Sequence, residues 1–415
     1  MTERSQGAEE RDDAPSGPSR RGFLYGGVAV GLGAAAGAAA GRAGLIPGGL
    51  PDRPDTAGVN GASTVAFFGP HQSGIETPPP AFVAYLCFDL RDDADRAALG
   101  RMMRLLSDDA RRLMAGEAAL ADLEPELAAR PANLVVTFGF GRELVRRADP
   151  GAVPAWLGPL PSFGIDRLDE RWTGGDFLVA IGGDDAMTIA HAARLILRDA
   201  DRFATLRWRQ DGFRRSYGTD PSGQTMRNLF GQVDGTVNPV PGTQDFANLV
   251  WATEPGWLVG GTSMVLRRIR MDLDGWDKVD RAGRENTIGR RLSDGAPITG
   301  GRETDAPDFD AVDALGFPVI SSDAHIRRAH GASPAERFVR RPYTYDETPP
   351  AGELSDVGLL FATFQADVER QYVPVQRRLA EADLLNVWTV PVGSAVFAIP
   401  PGCTDGGFVG ETLLG

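Results

Sequence analysis

Apolar residues along this chain follow two periods. The runs 81–90 (AFVAYLCFDL), 133–141 (NLVVTFGFG), 176–183 (DFLVAIGG) and 204–212 (ATLRWRQDG) are short, rich in β-branched and aromatic residues and closed by turn formers, which is the pattern of strands. Between them, residues 95–116 and 185–200 carry apolar side chains at helical spacing and predict two amphipathic helices. The predicted order is β-α-β-β-α-β. It starts again after residue 231, with strands at 262–273, 359–367 and 394–401, a helix beginning near Trp276 and another over 368–381. Such a repeat predicts an α+β fold of two ferredoxin-like (split βαβ) halves, packed as a dimeric α+β barrel around a wide internal space. Residues 283–350 interrupt the second half with long, irregular, charged sequence containing Gly and Pro, and a loop of that length in a compact domain is usually functional.

The first 64 residues lie outside this pattern. Residues 19–24 read Ser-Arg-Arg-Gly-Phe-Leu and precede a small, apolar, charge-free run over 25–41, the arrangement of a twin-arginine export signal. The alternative, a retained helical anchor, is disfavoured by glycine at 26, 27, 31, 33 and 37, which lowers helix stability. That export route carries folded proteins, often with a cofactor already inserted. Residues 1–44 are therefore assigned to the signal region and 45–64, rich in Gly, Pro and Asp, to a flexible linker. The halves follow as 65–220 and 221–415, since a 415-residue chain exceeds what one core usually supports.

A net charge of -13 opposes binding to nucleic acid or anionic membrane and points to small-molecule partners. The two cysteines, Cys87 and Cys403, exclude a disulfide framework and a four-cysteine metal site, and read as a buried thiol and a loop thiol, with a single bridge as the alternative. Oligomeric state is left open, with a homo-oligomer compatible.

The candidate chemistry gathers in the second half. GQVDGTVNP (231–239) sets Asp234 in a glycine-flanked turn that allows close approach to a flat ligand. With His325 and Arg340 further along the same half, Asp234 completes a set of acid, imidazole and guanidinium, the side-chain types of a haem peroxidase; a haem iron needs one neutral imidazole, and the chain offers His71, His191, His325 and His330. His191 falls on a predicted helix face where a structural role is favoured. Of the two later histidines, His325 is preferred because Asp323 and its neighbours suggest a turn or helix start aimed inward. Cleaving peroxide on haem needs a base to move a proton and a cation to stabilise developing charge. Asp234 and Arg340 supply these types, Arg341 being the alternative cation. A carboxylate base predicts activity that persists to acidic pH.

GQVDG resembles the GxxDG motif of the dye-decolourising peroxidases, in particular their exported, twin-arginine-signal branch. FFGPHQSGI, WTGGDFLVAIGGDD, GGTSMVLRRIRM, AHIRRAH, RRPYTY and VGSAVFAIPPG follow the same family in order, covering almost the whole chain from Val65. The resemblance implies one haem b per chain, bound in the 221–415 half, with His325 as proximal iron ligand, Asp234 as distal acid-base and Arg340 as distal cation. It further implies cofactor contacts from Gly235, Thr236 and Asn238, a propionate contact from Arg290, and Asp367 as acceptor of the proximal imidazole N–H. Pro342, where the family often has Gly, is a departure. The implied partners are hydrogen peroxide, small aromatic, phenolic or dye-like reductants, and the twin-arginine translocase. The competing expectation is a haem- or iron-handling protein of an iron-uptake system.

Overall fold

The computed structural model describes residues 59–221 and 223–415, so the export-signal reading and the linker up to residue 58 lie outside the described residues. Strands β1 (Phe82–Leu90), β2 (Val135–Phe140), β3 (Phe177–Gly183) and β4 (Ala204–Phe213) form an antiparallel sheet in the order β4-β1-β3-β2. Helices Arg96–Met114 and Ala186–Ala200 cover one face of it. Both begin as their sequences dictate: Asp95 accepts the Ala98 N–H and Asp185 the Thr188 N–H, each at 2.8 Å.

The second half repeats the plan. β5 (Thr262–Met271), β7 (Tyr343–Glu347), β8 (Asp356–Gln365) and β9 (Thr389–Ile399) are ordered β9-β5-β8-β7, with the two-residue β6 (Val339–Arg340) also on β8. Both halves are thus ferredoxin-like. They join at two seams: Phe140 of β2 faces Ala398 of β9, and Phe213 of β4 faces Thr344 of β7. The sheet therefore closes on itself, which removes the exposed edges an open sheet would carry.

Because side chains alternate along a strand, each strand feeds two cores. Val83, Tyr85 and Cys87 point into the barrel with Met264, Leu266, Leu360 and Phe397, whereas Ala84, Leu86 and Phe88 pack beneath the helices. A third, smaller core of Phe230, Met271, Trp276, Ile288, Val357 and Leu359 lies against the second half, with Ile326 and Leu385 packed on it. Both cysteines are buried and free, so no bridge joins Cys87 to Cys403.

The irregular segment expected at 283–350 is more ordered than its composition implied. It contains β6 and β7, and the helix Arg281–Ile288 runs into it. Tyr343 and Tyr345 turn into the barrel, and a strand paired on both edges tolerates the charged residues that follow, since Glu347 is taken up by Arg268 at 3.0 Å.

Candidate active site

The loop carrying Asp234 is built by its own sequence. Asn228 accepts the N–H groups of Phe230 and Gln232 at 3.1 and 3.3 Å, Arg227 and Val233 form an isolated bridge, and the Asp234 N–H bonds to the Met226 carbonyl at 2.8 Å. The chain reverses at Gly231 (φ 78°) and again at Gly235 (φ 132°), conformations that side-chain-bearing residues rarely adopt. Phe230 is buried against Trp276, with ring centroids 4.5 Å apart, anchoring the loop in the third core. Burying a phenyl group contributes about 1.5–3 kcal/mol. Glu303 accepts the hydroxyls of Thr225 (2.6 Å) and Thr236 (2.8 Å), clasping the loop on either side of Asp234. Thr236 thus spends its hydroxyl on Glu303.

Arg340 Nη1 lies 3.4 Å from Asp234 Oδ1. The Asn238 amide fixes this arginine, donating to its carbonyl at 2.7 Å and accepting its backbone N–H at 3.0 Å. Arg341 leaves the strand on the opposite side and donates to the carbonyls of Thr77 and Pro78. Alternation thus decides between the neighbouring arginines: Arg340 faces Asp234, and Arg341 ties the two halves together.

His325 opens the short helix His325–Ala329, and its Nδ1 lies 2.6 Å from Asp383 Oδ2. A backbone bond from Leu384 N to Asp323 O (2.9 Å) sets the two segments side by side. The other Asp383 oxygen accepts the Leu385 N–H at 2.9 Å. Burial opposes protonation of the His325 ring, but the charge and hydrogen bond of Asp383, then the charge of Asp234, outweigh it and raise its pKa, with Arg340 opposing. The ring therefore senses the Asp234–Arg340 pair. Its side chain is 31% exposed, so the ring is not closely packed on every side.

The expectation that Asp367 accepts the imidazole N–H is corrected here. Asp367 caps the start of the helical run Val368–Ala382, accepting the Arg370 N–H at 2.9 Å, whereas Asp383 stands just after that run and reaches His325. Arg290 is buried, with Nη1 bonded to the carbonyls of Gly295 (2.7 Å) and Glu303 (2.9 Å). Burial and the neighbouring Arg340 charge lower its pKa against the pull of Glu303. Two guanidinium groups close enough to repel leave a positive region suited to an anionic group.

The other histidines are otherwise engaged. His71 stacks on Trp251 at 3.6 Å and bonds to the Gly260 carbonyl, buried His191 pairs with Asp122 at 2.9 Å, and exposed His330 rests edge-on to Phe309. His325 is the imidazole whose Nδ1 is held by a buried carboxylate, leaving the Nε2 lone pair for a metal. That donor arrangement, with the charges of Asp234 and Arg340 acting on the ring, fits a haem iron.

Comparison with known proteins agrees with this geometry. Residues 72–214 match the family model "Dyp-type peroxidase, N-terminal" and residues 225–404 "Dyp-type peroxidase, C-terminal". The chain is 36% identical to the dye-decolorizing peroxidase of Thermobifida fusca, over 98% of this chain and 99% of that one. It is 32% identical to the deferrochelatase of Escherichia coli O6:K15:H31, over 98% and 99%. Among solved structures, a DyP-type peroxidase from Cellulomonas bogoriensis superposes with TM-score 0.83 at 52% identity, covering 86% of this chain and 99% of that one. An oxyferrous complex of DtpA from Streptomyces lividans gives TM-score 0.83 at 42% identity, with 88% and 100% covered.

Proposed function

The chain belongs to the Dyp-type peroxidase family and is a haem-dependent oxidoreductase acting on peroxide, and from that premise we propose that it is an exported enzyme oxidising small aromatic, phenolic or dye-like donors, with Asp234, Arg340 and His325 as its working residues. The observation that carries the assignment is the 3.4 Å approach of Arg340 Nη1 to Asp234 Oδ1, on a pair whose charges both act on His325.

His325 would hold the iron through Nε2, while Asp383, accepting from Nδ1, fixes the tautomer and makes the ring more electron-donating. When bound, haem supplies a redox centre that takes oxidising equivalents from peroxide and returns them in single-electron steps. Asp234 takes the proton from the nearer peroxide oxygen and delivers it to the departing one. Arg340 stabilises negative charge on that departing oxygen. Asn238 holds the Arg340 backbone, and its Oδ1 also accepts the Arg340 Nε–H at 3.4 Å, which keeps the guanidinium aimed. Arg290, on the positive side of the site, suits a haem propionate through its remaining N–H groups.

Export rests on Arg20 and Arg21 ahead of the apolar run over 25–41. A second reading, haem or iron handling in an uptake system, is favoured by the deferrochelatases, which are 32% identical over nearly the whole chain. The test is to give haem-replete protein peroxide and a phenolic donor while monitoring iron release. Peroxide-dependent donor oxidation supports the first reading, and iron release without turnover supports the second.

A further inference from the structure

A cleft of about 580 Å³ lies well outside the active-site segments, between the helix Arg142–Ala148, the loop over 158–168 and the β5–β9 surface. Its volume is that of a small-molecule site. Pro159, Leu160, Leu168 and Val396 give it an apolar wall.

Its charged groups are unequally satisfied. Arg267, almost fully buried in the wall, pairs with Asp166 and donates to the Ser394 hydroxyl at 3.3 Å. Arg146 is held by Glu143 at 2.7 Å. Arg142 is exposed and donates one N–H to the Leu157 carbonyl at 2.9 Å, and among the described residues no carboxylate pairs with it. Asp176 is half-buried, and the one bond its side-chain carboxyl group accepts among the described residues is the Leu90 N–H at 3.0 Å, on Oδ2. Burial raises its pKa, with the Leu90 bond opposing, which favours a hydroxyl as its neighbour. The cleft thus offers an unspent cation, an apolar wall and an unspent carboxyl oxygen.

We propose that this cleft binds a phenolic acid, its carboxylate on Arg142, its ring on the Leu160–Leu168 wall and its hydroxyl on Asp176. The inference rests on the donor-oxidising reading only for the purpose of the site, not for binding. The cleft also adjoins the cofactor-bearing half. Arg267 faces Phe361 in the β5–β8 register, and Phe361 packs on the core that takes Ile326, next to His325.

The test uses the holoenzyme and 4-hydroxycinnamate, with binding read by ligand-observed NMR and turnover by donor oxidation. Replacing one charge-assisted contact by repulsion in Arg142→Glu weakens binding and raises the KM for 4-hydroxycinnamate by about tenfold. Leu168→Glu, at an exposed wall position, does the same by a different route. Guaiacol, which lacks the carboxylate, keeps its KM in Arg142→Glu, and the haem spectrum stays that of the parent. If wild type does not bind the acid, or if both variants bind it as wild type does, the site is overturned. Binding lost in both variants, on a protein that oxidises no donor at all, upholds the site and removes the donor-oxidising reading instead.

Discussion

The Nδ1 of His325 and the Oδ2 of Asp383, 58 residues apart in sequence, lie 2.6 Å from each other, and the Asp383 side chain is 3% exposed. A carboxylate so buried finds its hydrogen-bond partners in that imidazole and in the Leu385 N–H.

Removing this carboxylate acts through the histidine. Asp383→Asn retains the fold but weakens haem retention about 10- to 100-fold and shifts the reduction potential of the bound haem upward, because the ring becomes less electron-donating. Haem transfer to an apo-acceptor and a spectroelectrochemical titration check both. Asp367→Asn, at the far end of the same helical run, leaves both unchanged. If Asp367→Asn moves the potential and Asp383→Asn does not, the proximal assignment is wrong.

The aim of Arg340 depends on Asn238. Asn238→Ala removes both amide contacts to the Arg340 backbone and slows the reaction with peroxide about tenfold, roughly what loss of about 1.4 kcal/mol of preorganised charge stabilisation costs. Stopped-flow mixing with peroxide measures it, with haem content as control. Arg341→Lys, by contrast, lowers the thermal midpoint by loosening the contact to Thr77 and Pro78 and leaves the peroxide rate alone.

How far the sequence reaches is clear from these residues. Period and turn chemistry are local, so the four strands and two long helices expected in the first half appear within a residue or two of their predicted bounds, whereas the short helix Arg142–Ala148 and the second-half strand Tyr343–Glu347 were not read. The Asp234 turn was legible for the same reason, because its glycines take φ values that demand them. Partner choice was not. Asp367 and Asp383 bracket one helical run, Asp367 ahead of Val368 and Asp383 behind Ala382, and at about 1.5 Å per residue they stand on the order of 20 Å apart. Which end faces His325 is set by the bond between Leu384 and Asp323, a tertiary contact with no local signature. The signal available for Asp383 was its place ahead of Leu384–Val387, as a helix-capping acid following a helix. Glu303 escaped notice because its two threonine partners lie 78 and 67 residues away. Arg340 and Arg341 are adjacent and chemically identical, and only the strand β6 separates their directions.

A distant carboxyl sets a pH dependence of stability. Asp109 is buried on the helix Arg96–Met114. Burial, then the charge and hydrogen bond of Asp199 and the charge of Asp108, raise its pKa to about 7 against the pull of Arg198. The folded protein therefore binds this proton more tightly than the unfolded chain does. Its contribution to stability is complete below about pH 4 and is lost as pH rises through about 7. Asp109→Asn removes that slope and stabilises the protein at pH 8 by about 1–3 kcal/mol, as urea unfolding at pH 5 and pH 8 would show. A parent protein with equal stability at both pH values, other groups being matched in the variant, contradicts the assignment.

The central claim is that Asp234 moves the proton during peroxide cleavage, and the direct measurement is the second-order rate of peroxide reaction with Asp234→Asn holoenzyme. Asparagine keeps the size and the Arg340 neighbour but cannot accept the proton. With haem bound and the His325–Asp383 pair intact, the rate falls about 100- to 10,000-fold, the usual contribution of a positioned acid-base group. An Asp234→Asn enzyme that reacts with peroxide as fast as the parent, across acidic and neutral pH, would contradict the account.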